Sequence, residues 1–453
     1  MEDSGRIPTY ITGLDDRLGG GVPKGHIVLV SGPAGSLKST LVYRILWHAA
    51  VERGLAGLYL SMEQSRKSLM AQMSAFGMEA TRAKTLNVIG NGVVLEPATL
   101  LQELENLRMR GHHPDNLRIS DRAHVVMPYH KVQDRVEEDL KGKMKAGTTG
   151  RGIGPVYEDK VGRFGIRMAD LLDPAVLQDK LETLVPIKQR LLQADGSHEV
   201  LDAKAIFREY AGYGEKLRAY VTDTSILLDN ELRAGKRILF EGAHGTLLDV
   251  EFGVYPYGVS SNCAAAMASI GSGVGPQAIN EVIGVVKAFT SRVGTGPVPT
   301  ELQDATAEHL REKGGGEYGT TTHRPRRVGW LDLVMLRLAA RVNGLTGIAI
   351  TKLDVLGGLK TIKACTAYTF ADERIEEFPA DMRLLSKAKP VYEEFAGWPE
   401  LAEEEWSRLA KKGLDALPRE IRVYLDRISK EMRAPIRLVS VGRARDATIA
   451  IGA

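Results

Sequence analysis

The sequence predicts an α/β fold: a large, mostly parallel central sheet with flanking helices and an inserted helical subdomain. Short apolar runs typical of buried strands recur along the chain, at 26–31, 57–61, 86–89, 237–240, 281–289 and 347–351. Helical patterns follow several of these runs, as at 330–342, and this alternation favours parallel pairing. A charged, helix-favouring stretch between Pro174 and Glu231 predicts the inserted subdomain. In such a sheet, ligands bind outside the carboxyl ends of the strands.

Length and composition exclude several classes of protein. The 453 residues allow two or three domains, and 43% hydrophobic residues with 48 glycines and 19 prolines indicate a folded globular chain. A formal net charge of +3 gives no support to a nucleic-acid or membrane-surface partner. Two cysteines, Cys263 and Cys365, cannot build a disulfide framework. No apolar run reaches the roughly 18 residues of a membrane span. The first residues lack a signal-peptide pattern. We therefore expect a cytoplasmic protein without nucleic-acid or membrane partners.

A glycine-rich loop follows the first predicted strand and precedes a predicted helix. Its sequence is GPAGSLKST, and its key residues are Gly32, Gly35, Lys38, Ser39 and Thr40. In this setting backbone N–H groups, a lysine and a helix N-terminus can bind phosphates, and a serine hydroxyl can bind a metal ion, Mg²⁺. The pattern usually has glycine just before the lysine, where this chain has Leu37. A purely structural glycine turn is therefore the alternative.

The first part of the chain, residues 1–84, resembles the KaiC and RecA-like ATPases. The resemblance rests on the phosphate loop and on the flanking stretches at 12–25 and 60–64. It implies a sheet of the P-loop NTPase type, and it gives Glu63 the role of polarising the attacking water. The resemblance ends near residue 84, so this segment is incomplete. No strand-end aspartate for Mg²⁺ is found, since Asp121 is better explained as a turn residue.

Six motifs follow in one order in the second part, residues 85–453. They are IGNGVV at 89–94, AGTTGRGIGPVYEDK at 146–160, FEGAHGTLLD at 240–249, SRVGTGP at 291–297, TTTHRPRR at 320–327 and TKLDVL at 351–356. As a set they resemble adenylosuccinate synthetase, without the usual N-terminal segment of that family. The resemblance implies a ligase that uses GTP to phosphorylate the 6-oxygen of IMP. L-aspartate then displaces the phosphate to give adenylosuccinate, on the route to AMP, with Mg²⁺ as cofactor.

The motif at 351–354 predicts guanine recognition. A carboxylate at a strand end can accept from the N1–H and N2–H₂ donors of guanine, which adenine does not present, while the lysine stem covers the ring. A solvated Lys–Asp pair in a loop is the alternative. Arg443 stands where the family usually has proline. By resemblance the GTP-binding residues are Arg326, Lys352, Leu353, Asp354, Ser440, Val441 and Gly442.

The motif at 320–327 packs three hydroxyls and three guanidiniums into eight residues. Such a density suits a dicarboxylate and a phosphate, because arginine forms bidentate bonds to both. A solvated basic face is the alternative. By resemblance the aspartate-binding residues are Val293, Thr320, Thr321, Thr322, Arg324 and Arg326. Arg324 would also reach IMP, and Arg326 would also reach the γ-phosphate of GTP. His323 stands where the family commonly has glycine.

The resemblance also implies an IMP site and a homodimer. Its IMP-binding residues would be Thr149, Arg163, His244, Val259 and Arg324. Thr149 lies in a glycine-rich loop at 147–154, and Arg163 would reach the IMP phosphate of the neighbouring subunit. His244 replaces the family's glutamine, and Val259 replaces a threonine that contacts the phosphate. We expect these changes to weaken IMP binding by about one hydrogen bond, or roughly 1 kcal/mol.

The two catalytic motifs of the family do not occur at their usual places in this sequence, since its Gly-His pairs at 25–26 and 111–112 lie elsewhere. One is a Gly-Asp-Glu-Gly-Lys-Gly-Lys loop, whose aspartate removes the N1 proton of IMP and binds Mg²⁺. The other is a Gly-His pair that stabilises the transferring phosphoryl group. Catalytic residues therefore stay unassigned, with Glu63 as the candidate for a compensating acid. We expect residual or absent ligase activity; the alternatives are a KaiC-like or RecA-like ATP-binding regulatory module and a non-catalytic GTP/IMP-binding protein.

Overall fold

The computed structural model describes residues 86–451, without 113, 143–144, 146, 315–316 and 318–324, and four strand segments before them. Twenty strands occur among the described residues. They are β1 (Arg6–Ile7), β2 (Val22–Pro23), β3 (Val28–Ser31), β4 (Leu58–Ser61), β5 (Leu86–Ile89), β6 (Val94–Leu95), β7 (Leu117–Ser120), β8 (His124–Val125), β9 (Val221–Thr222), β10 (Ile238–Glu241), β11 (Glu281–Lys287), β12 (Thr290–Arg292), β13 (Arg327–Gly329), β14 (Leu331–Asp332), β15 (Gly347–Thr351), β16 (Thr361–Phe370), β17 (Glu373–Ile375), β18 (Lys389–Ala396), β19 (Ile436–Ser440) and β20 (Thr448–Ala450).

Thirteen α-helices lie in the same described part of the chain. They are α1 (Pro97–Met109), α2 (Pro128–Leu140), α3 (Ile153–Gly162), α4 (Met168–Leu171), α5 (Pro174–Ala194), α6 (Ala203–Leu217), α7 (Thr224–Arg233), α8 (Met267–Ser272), α9 (Ala305–Lys313), α10 (Leu333–Asn343), α11 (Met382–Lys387), α12 (Glu403–Lys412) and α13 (Arg419–Met432). An aspartate caps the first turn of six of them, because its carboxylate accepts from backbone N–H groups that have no partner within the helix. These caps are Asp173, Asp202, Asp223, Asp304, Asp332 and Asp381.

The main sheet joins ten strands in the order β20-β19-β15-β11-β3-β10-β4-β5-β7-β9. All neighbours pair in parallel except the edge strand β20, which runs antiparallel to β19. The prediction of a large, mostly parallel sheet is confirmed. The predicted strand at 281–289 is shorter, since β11 ends at Lys287. The predicted helix at 330–342 begins only at Leu333, because Asp332 caps it.

The two largest hydrophobic cores among the described residues lie on either part of the main sheet and its helices. One packs α10, α12 and α13 beside β11, β15 and β19, with Phe289, Ile350 and Tyr424 almost fully buried. The other packs α5 and α6 against α1, α2 and β7, around Leu104 and Leu181. Of this second core, α5 and α6 lie in the stretch between Pro174 and Glu231 for which the sequence predicts an inserted helical subdomain.

Candidate functional site

Most of the predicted site residues follow the carboxyl ends of five neighbouring strands, β10, β3, β11, β15 and β19. Strand β3 lies between β10 and β11, with Val30 opposite Glu241 on one side and Ile283 on the other. Beyond β11 come β15 and β19, so the parallel register brings the ends of all five strands to one edge. We call this the carboxyl edge. The sheet thus has, at its centre, the strand that leads into the predicted phosphate loop.

Some predicted residues lie outside the described part of the chain. They are the phosphate-loop residues Gly32, Gly35, Lys38, Ser39 and Thr40, the candidate acid Glu63, and four residues of the arginine-rich motif, Thr320, Thr321, Thr322 and Arg324. The strand before the phosphate loop is described, and it ends at Ser31.

The predicted guanine-binding residues lie at the ends of two adjacent strands. Lys352, Leu353 and Asp354 follow β15, whereas Ser440, Val441 and Gly442 end or follow β19. Lys352 has a left-handed backbone (φ 68°), and its Nζ donates to the carbonyl of Gly314 at 2.7 Å. Leu353 is fully buried, and its carbonyl accepts from the Trp398 indole at 3.1 Å. The two segments thus share one corner of the carboxyl edge.

Burial perturbs the two ionisable residues of this corner. Burial raises the pKa of the half-buried Asp354 carboxyl, and it lowers the pKa of the Lys352 ammonium. Both side chains are only partly exposed, and the Lys352 ammonium is already engaged by the Gly314 carbonyl. The alternative of a freely solvated Lys–Asp pair therefore does not describe this loop.

Arg326 belongs to a buried cluster of three charges, which we call the Glu317 cluster. Nη1 of Arg326 donates to the Glu317 carboxylate at 3.2 Å, and Lys287 Nζ donates to both carboxylate oxygens at 3.0 and 3.1 Å. Arg326 is only 7% exposed, and Glu317 and Lys287 are each 3% exposed. A solvated basic face, the alternative for this motif, is thereby excluded at Arg326. Lys287 is the last residue of β11, so the cluster lies at the carboxyl edge.

Val293, a predicted aspartate-binding residue, follows β12 on the same side of the molecule. Strands β12 and β13 pair antiparallel, with Arg292 opposite Arg327, so Val293 lies close to the arginine-rich motif. Val293 is exposed. The neighbouring Arg327 differs from Arg326, because its guanidinium is engaged by the Glu301 carboxylate and by the carbonyl of Gly296 at 2.6 Å.

The glycine-rich loop that carries Thr149 is held by two carboxylates of α2. Asp134 accepts from the Gly152 amide and from the Thr148 hydroxyl, each at 2.8 Å. Glu138 accepts from the Gly147 amide at 2.7 Å. Gly147, Gly150 and Gly152 all have positive φ, which explains the glycine pattern around the exposed Thr149. No predicted strand precedes this loop, and in the structure it follows a helix.

Arg163 ends helix α3, which follows this loop. It has a left-handed backbone (φ 66°), and its side chain is exposed. An exposed arginine at this position is accessible to another copy of the chain.

The segment 242–264 follows β10 and carries both His244 and Val259. The Val259 amide donates to the carbonyl of Leu248 at 2.8 Å. The carboxylate of Asp249 is fully buried, and it accepts from the amides of Cys263 and Ala264 and from that of Glu251 at 2.8 Å. Asp249 thereby ties the turn that follows it to the end of the segment that carries His244 and Val259.

Close packing explains Gly92, the second glycine of the 89–94 motif. A cleft at the end of β10 is lined by Gly92, Tyr157 and Glu241. Tyr157 donates its hydroxyl to the carbonyl of Gly92 at 2.8 Å, and a Cβ at position 92 would lie 2.8 Å from the Cα of Gly271. Only glycine fits this contact. The cleft joins the 89–94 motif to the 240–249 motif.

Comparison with known proteins decides the family. The family model for adenylosuccinate synthetase matches residues 65–449. The adenylosuccinate synthetase of Carboxydothermus hydrogenoformans is 52% identical over 362 residues, which is 80% of this chain and 83% of that one. The enzyme of Heliobacterium modesticaldum is 50% identical over 365 residues, or 81% and 84% of the two chains. This chain belongs to the adenylosuccinate synthetase family.

Solved structures agree with this assignment. A fully ligated adenylosuccinate synthetase from Plasmodium falciparum superposes with a TM-score of 0.79 at 29% identity, over 94% of this chain and 100% of that chain. The succinoaminodeoxyadenylate synthetase of cyanophage S-2L has a TM-score of 0.52 at 16% identity, over 94% and 95% of the two chains, and shares the fold alone. The predicted resemblance to adenylosuccinate synthetase, a family of GTP-dependent C–N ligases, is confirmed.

The N-terminal part has a second relationship. The family model for KaiC, an ATPase, matches residues 7–94, so the two family models overlap over 65–94. The predicted resemblance of the first segment to KaiC is therefore confirmed too. The division of the adenylosuccinate synthetase-like chain at residue 84 stays a prediction.

Two further observations concern the described part of this synthetase-family chain. None of its described helices is both long and apolar enough to cross a membrane. Likewise, the described residues include no cluster of three or more His, Cys, Asp or Glu side chains that could hold a metal ion.

Sequence reasoning missed several residues that organise the candidate site. Glu317 and Lys287 lie 30 positions apart, and only the fold joins them. Asp134 and Glu138 have helical i, i+4 spacing, which the sequence alone does not distinguish from a solvated helix face. Asp249 lies inside one of the six motifs, but the sequence did not predict that its carboxylate accepts from four backbone amides. The available signal was an aspartate followed by glycines.

Proposed function

We propose that this chain binds GTP, IMP and L-aspartate at the carboxyl edge and joins the last two to form adenylosuccinate, with slow turnover. The observation that carries the proposal is the central position of β3. This strand pairs with β10, which leads to His244 and Val259, and with β11, which leads to the Glu317 cluster. A phosphate loop after β3 would therefore open between the proposed IMP and GTP regions.

The corner formed by β15 and β19 supports the choice of GTP. Asp354 is half-buried beside Lys352, and it is the kind of acceptor that guanine N1–H and N2–H₂ require. Ser440 to Gly442 end the adjacent strand and would line the other side of the base. Arg326, in the Glu317 cluster, would face the phosphates of the bound GTP. Positive charge exceeds negative charge in this cluster, and that excess favours an anionic ligand.

The loop at 147–152 supports the IMP phosphate site. Its glycines let the backbone approach a phosphate closely, and Thr149 is exposed at its tip. Arg163 would complete the site from the neighbouring subunit, so the active form would be a homodimer. His244 can still donate to the 6-oxygen of IMP, whereas Val259 has no hydroxyl to offer the phosphate.

Aspartate and Mg²⁺ complete the proposed ligand set. Val293 and Arg326, together with Thr320, Thr321, Thr322 and Arg324, would hold the aspartate carboxylates. Ser39 would bind Mg²⁺, which proteins commonly hold through one or two side chains and the substrate phosphates. When bound, Mg²⁺ would neutralise charge on the transferring phosphoryl group.

Turnover would be slow because the sequence lacks the family's aspartate base and its phosphoryl-stabilising histidine. Loss of a general base typically costs about 10² to 10⁴-fold in rate. Such an enzyme would act in the cytoplasm, where IMP and GTP are available.

The test is an absorbance assay on the purified full chain with GTP, IMP and L-aspartate. We expect slow turnover that needs all three substrates and is lost when ATP replaces GTP. The Carboxydothermus hydrogenoformans enzyme, measured alongside, should be at least about 10²-fold faster. Thermal stabilisation by GTP and IMP without turnover would favour a non-catalytic binding protein. ATP hydrolysis without IMP would contradict the proposal and favour the KaiC-like ATP-binding module, to which residues 7–94 are similar.

A further inference from the structure

We infer that Glu317 is a positioning residue that fixes Arg326 for the γ-phosphate of GTP, an inference that rests on the function proposed above. Glu317 belongs to none of the residue sets that the family resemblance supplied. It contacts Arg326 of the arginine-rich motif and lies nine residues before it in the sequence.

Two separate contacts tie Arg326 to Glu317. The Arg326 amide donates to the Glu317 carbonyl at 2.7 Å, and the Arg326 guanidinium donates to the Glu317 carboxylate at 3.2 Å. Main chain and side chain are therefore both fixed by one residue. An arginine held in this way loses less conformational freedom when it binds an anion, and that saving increases affinity.

Lys287 makes the arrangement possible. A carboxylate as buried as Glu317 must be paired, because an isolated charge in the protein interior is very costly. Lys287 supplies the pairing through both carboxylate oxygens, and it also donates to the Ser291 hydroxyl at 2.6 Å. Burial lowers the pKa of Lys287 to about 8. Against this burial, Lys287 and Arg326 hold the pKa of the Glu317 carboxyl below its usual value.

The charges around Arg326 favour an anionic ligand. Glu317 is one carboxylate between two cations, so the cluster has an excess positive charge, and Lys352 adds a third cation nearby. Glu317 therefore orients Arg326 without neutralising the cluster as a whole.

A competing explanation is that Glu317 serves only to neutralise Lys287 in the core. The two explanations differ in what they predict for nucleotides. A positioning role affects the γ-phosphate alone, so it changes the ratio of GTP to GDP affinity. A purely structural role lowers stability and affects both nucleotides alike.

The test is calorimetric titration of the full chain with GTP and with GDP, for the wild type and for Glu317→Gln. We expect GTP to bind about tenfold more weakly to the variant, while GDP affinity changes by less than about twofold. IMP affinity, measured on the same samples, should be unchanged. Equal changes for GTP and GDP, or an unchanged ratio, would overturn the inference.

Two further variants keep the test decisive if Glu317→Gln folds poorly. Glu317→Asp keeps the negative charge beside Lys287 but shortens its reach to Arg326, so the GTP/GDP ratio should still fall. The double variant Glu317→Gln with Lys287→Met removes both buried charges together, and the ratio should fall there too. Recovery of the wild-type ratio in the double variant would show that Glu317 acts only on Lys287, and would overturn the inference.

Glu431→Gln is the matched control. Glu431 is another carboxylate that pairs with two cations, Arg337 and Arg427, but it lies on α13 away from the carboxyl edge. Its removal should change stability without changing the GTP/GDP ratio. If the wild type binds neither nucleotide, the proposed function fails. Binding of both nucleotides with an unaltered ratio in the Glu317 variants defeats this inference alone.

Discussion

The Gly152 amide and the Asp134 carboxylate are joined by a 2.8 Å hydrogen bond that ties the loop carrying Thr149 to helix α2. The other oxygen of Asp134 accepts from the Thr148 hydroxyl, and Glu138, one turn further along the helix, accepts from Gly147. Two acidic residues of one helix thus hold both ends of the proposed phosphate loop. Two carboxylates near a phosphate site lower the local positive potential, which by itself would weaken phosphate binding. We therefore infer that Asp134 and Glu138 favour binding by ordering the loop.

Asp134→Asn should therefore weaken IMP binding. Asparagine offers one acceptor oxygen where Asp134 uses two, so one bond to the loop is lost, at a cost of about 1 kcal/mol or roughly fivefold in affinity. Calorimetric titration with IMP checks this. Asp179→Asn, an exposed position on α5, should leave IMP affinity unchanged. A normal IMP affinity in Asp134→Asn would show that this loop does not hold IMP.

Asp354→Asn should weaken GTP binding and reduce the preference for GTP over ATP. The amide replaces one acceptor oxygen by a donor that faces a guanine donor, and an unpaired polar group in a half-buried site is costly. We expect at least about a tenfold loss of GTP affinity, measured by competition between GTP and ATP. Asp372→Asn, on an exposed turn, is the matched control. Unchanged discrimination would place the guanine elsewhere.

Val259→Thr should strengthen IMP binding. The valine is half-buried, and its amide is already fixed by Leu248, so a hydroxyl can be added without moving the main chain. One regained hydrogen bond is worth about 1 kcal/mol, or roughly fivefold in the dissociation constant for IMP. Val259→Ala provides the comparison without a hydroxyl. If threonine and alanine bind IMP equally, position 259 does not contact the phosphate.

Asp332 should give stability a distinct dependence on pH. Asp332 is 1% exposed, and its carboxylate caps α10 and accepts from the Tyr368 hydroxyl at 2.7 Å. Burial raises the pKa of this carboxyl to about 6. Because this folded-state pKa exceeds the unfolded value of about 3.9, the folded state binds the proton more tightly. The resulting stabilisation is complete below about pH 4 and is lost as the pH rises through about 6.

The comparison of wild type with Asp332→Asn isolates this effect. Two pKa units correspond to about 3 kcal/mol, so the wild type should lose up to that amount relative to the variant between about pH 4 and pH 7. Urea unfolding at a series of pH values measures it. Parallel stability curves for the two proteins would mean that Asp332 keeps an ordinary pKa when folded.

The sequence predicts contiguous features of this fold well. The predicted strands 86–89 and 347–351 match β5 and β15 residue for residue. A short apolar run between turn signals is enough to predict a buried strand without information from the rest of the chain. The predicted guanine motif at 352–354 is contiguous too, because all its residues follow one strand; its role stays a prediction. The resemblance to known families then supplied roles that no local pattern provides.

Relationships between distant residues could not be predicted in this way. The central position of β3 depends on pairing with strands about 200 residues further along the chain. Lys287 and Glu317 lie in separate stretches that each resemble ordinary polar sequence, and only burial turns them into an ion pair. Asp134 and Glu138 likewise have the spacing of a solvated helix face, and their role appears only when the glycine-rich loop folds over them.

Calorimetric titration of the full chain with IMP and with GTP tests the central claim most directly. Both nucleotides should bind at the carboxyl edge, each saturating one site per chain, even if turnover is very slow. GTP should bind more tightly than ATP under the same conditions. The absence of heat and of thermal stabilisation with IMP and GTP, added singly or together, would contradict the account.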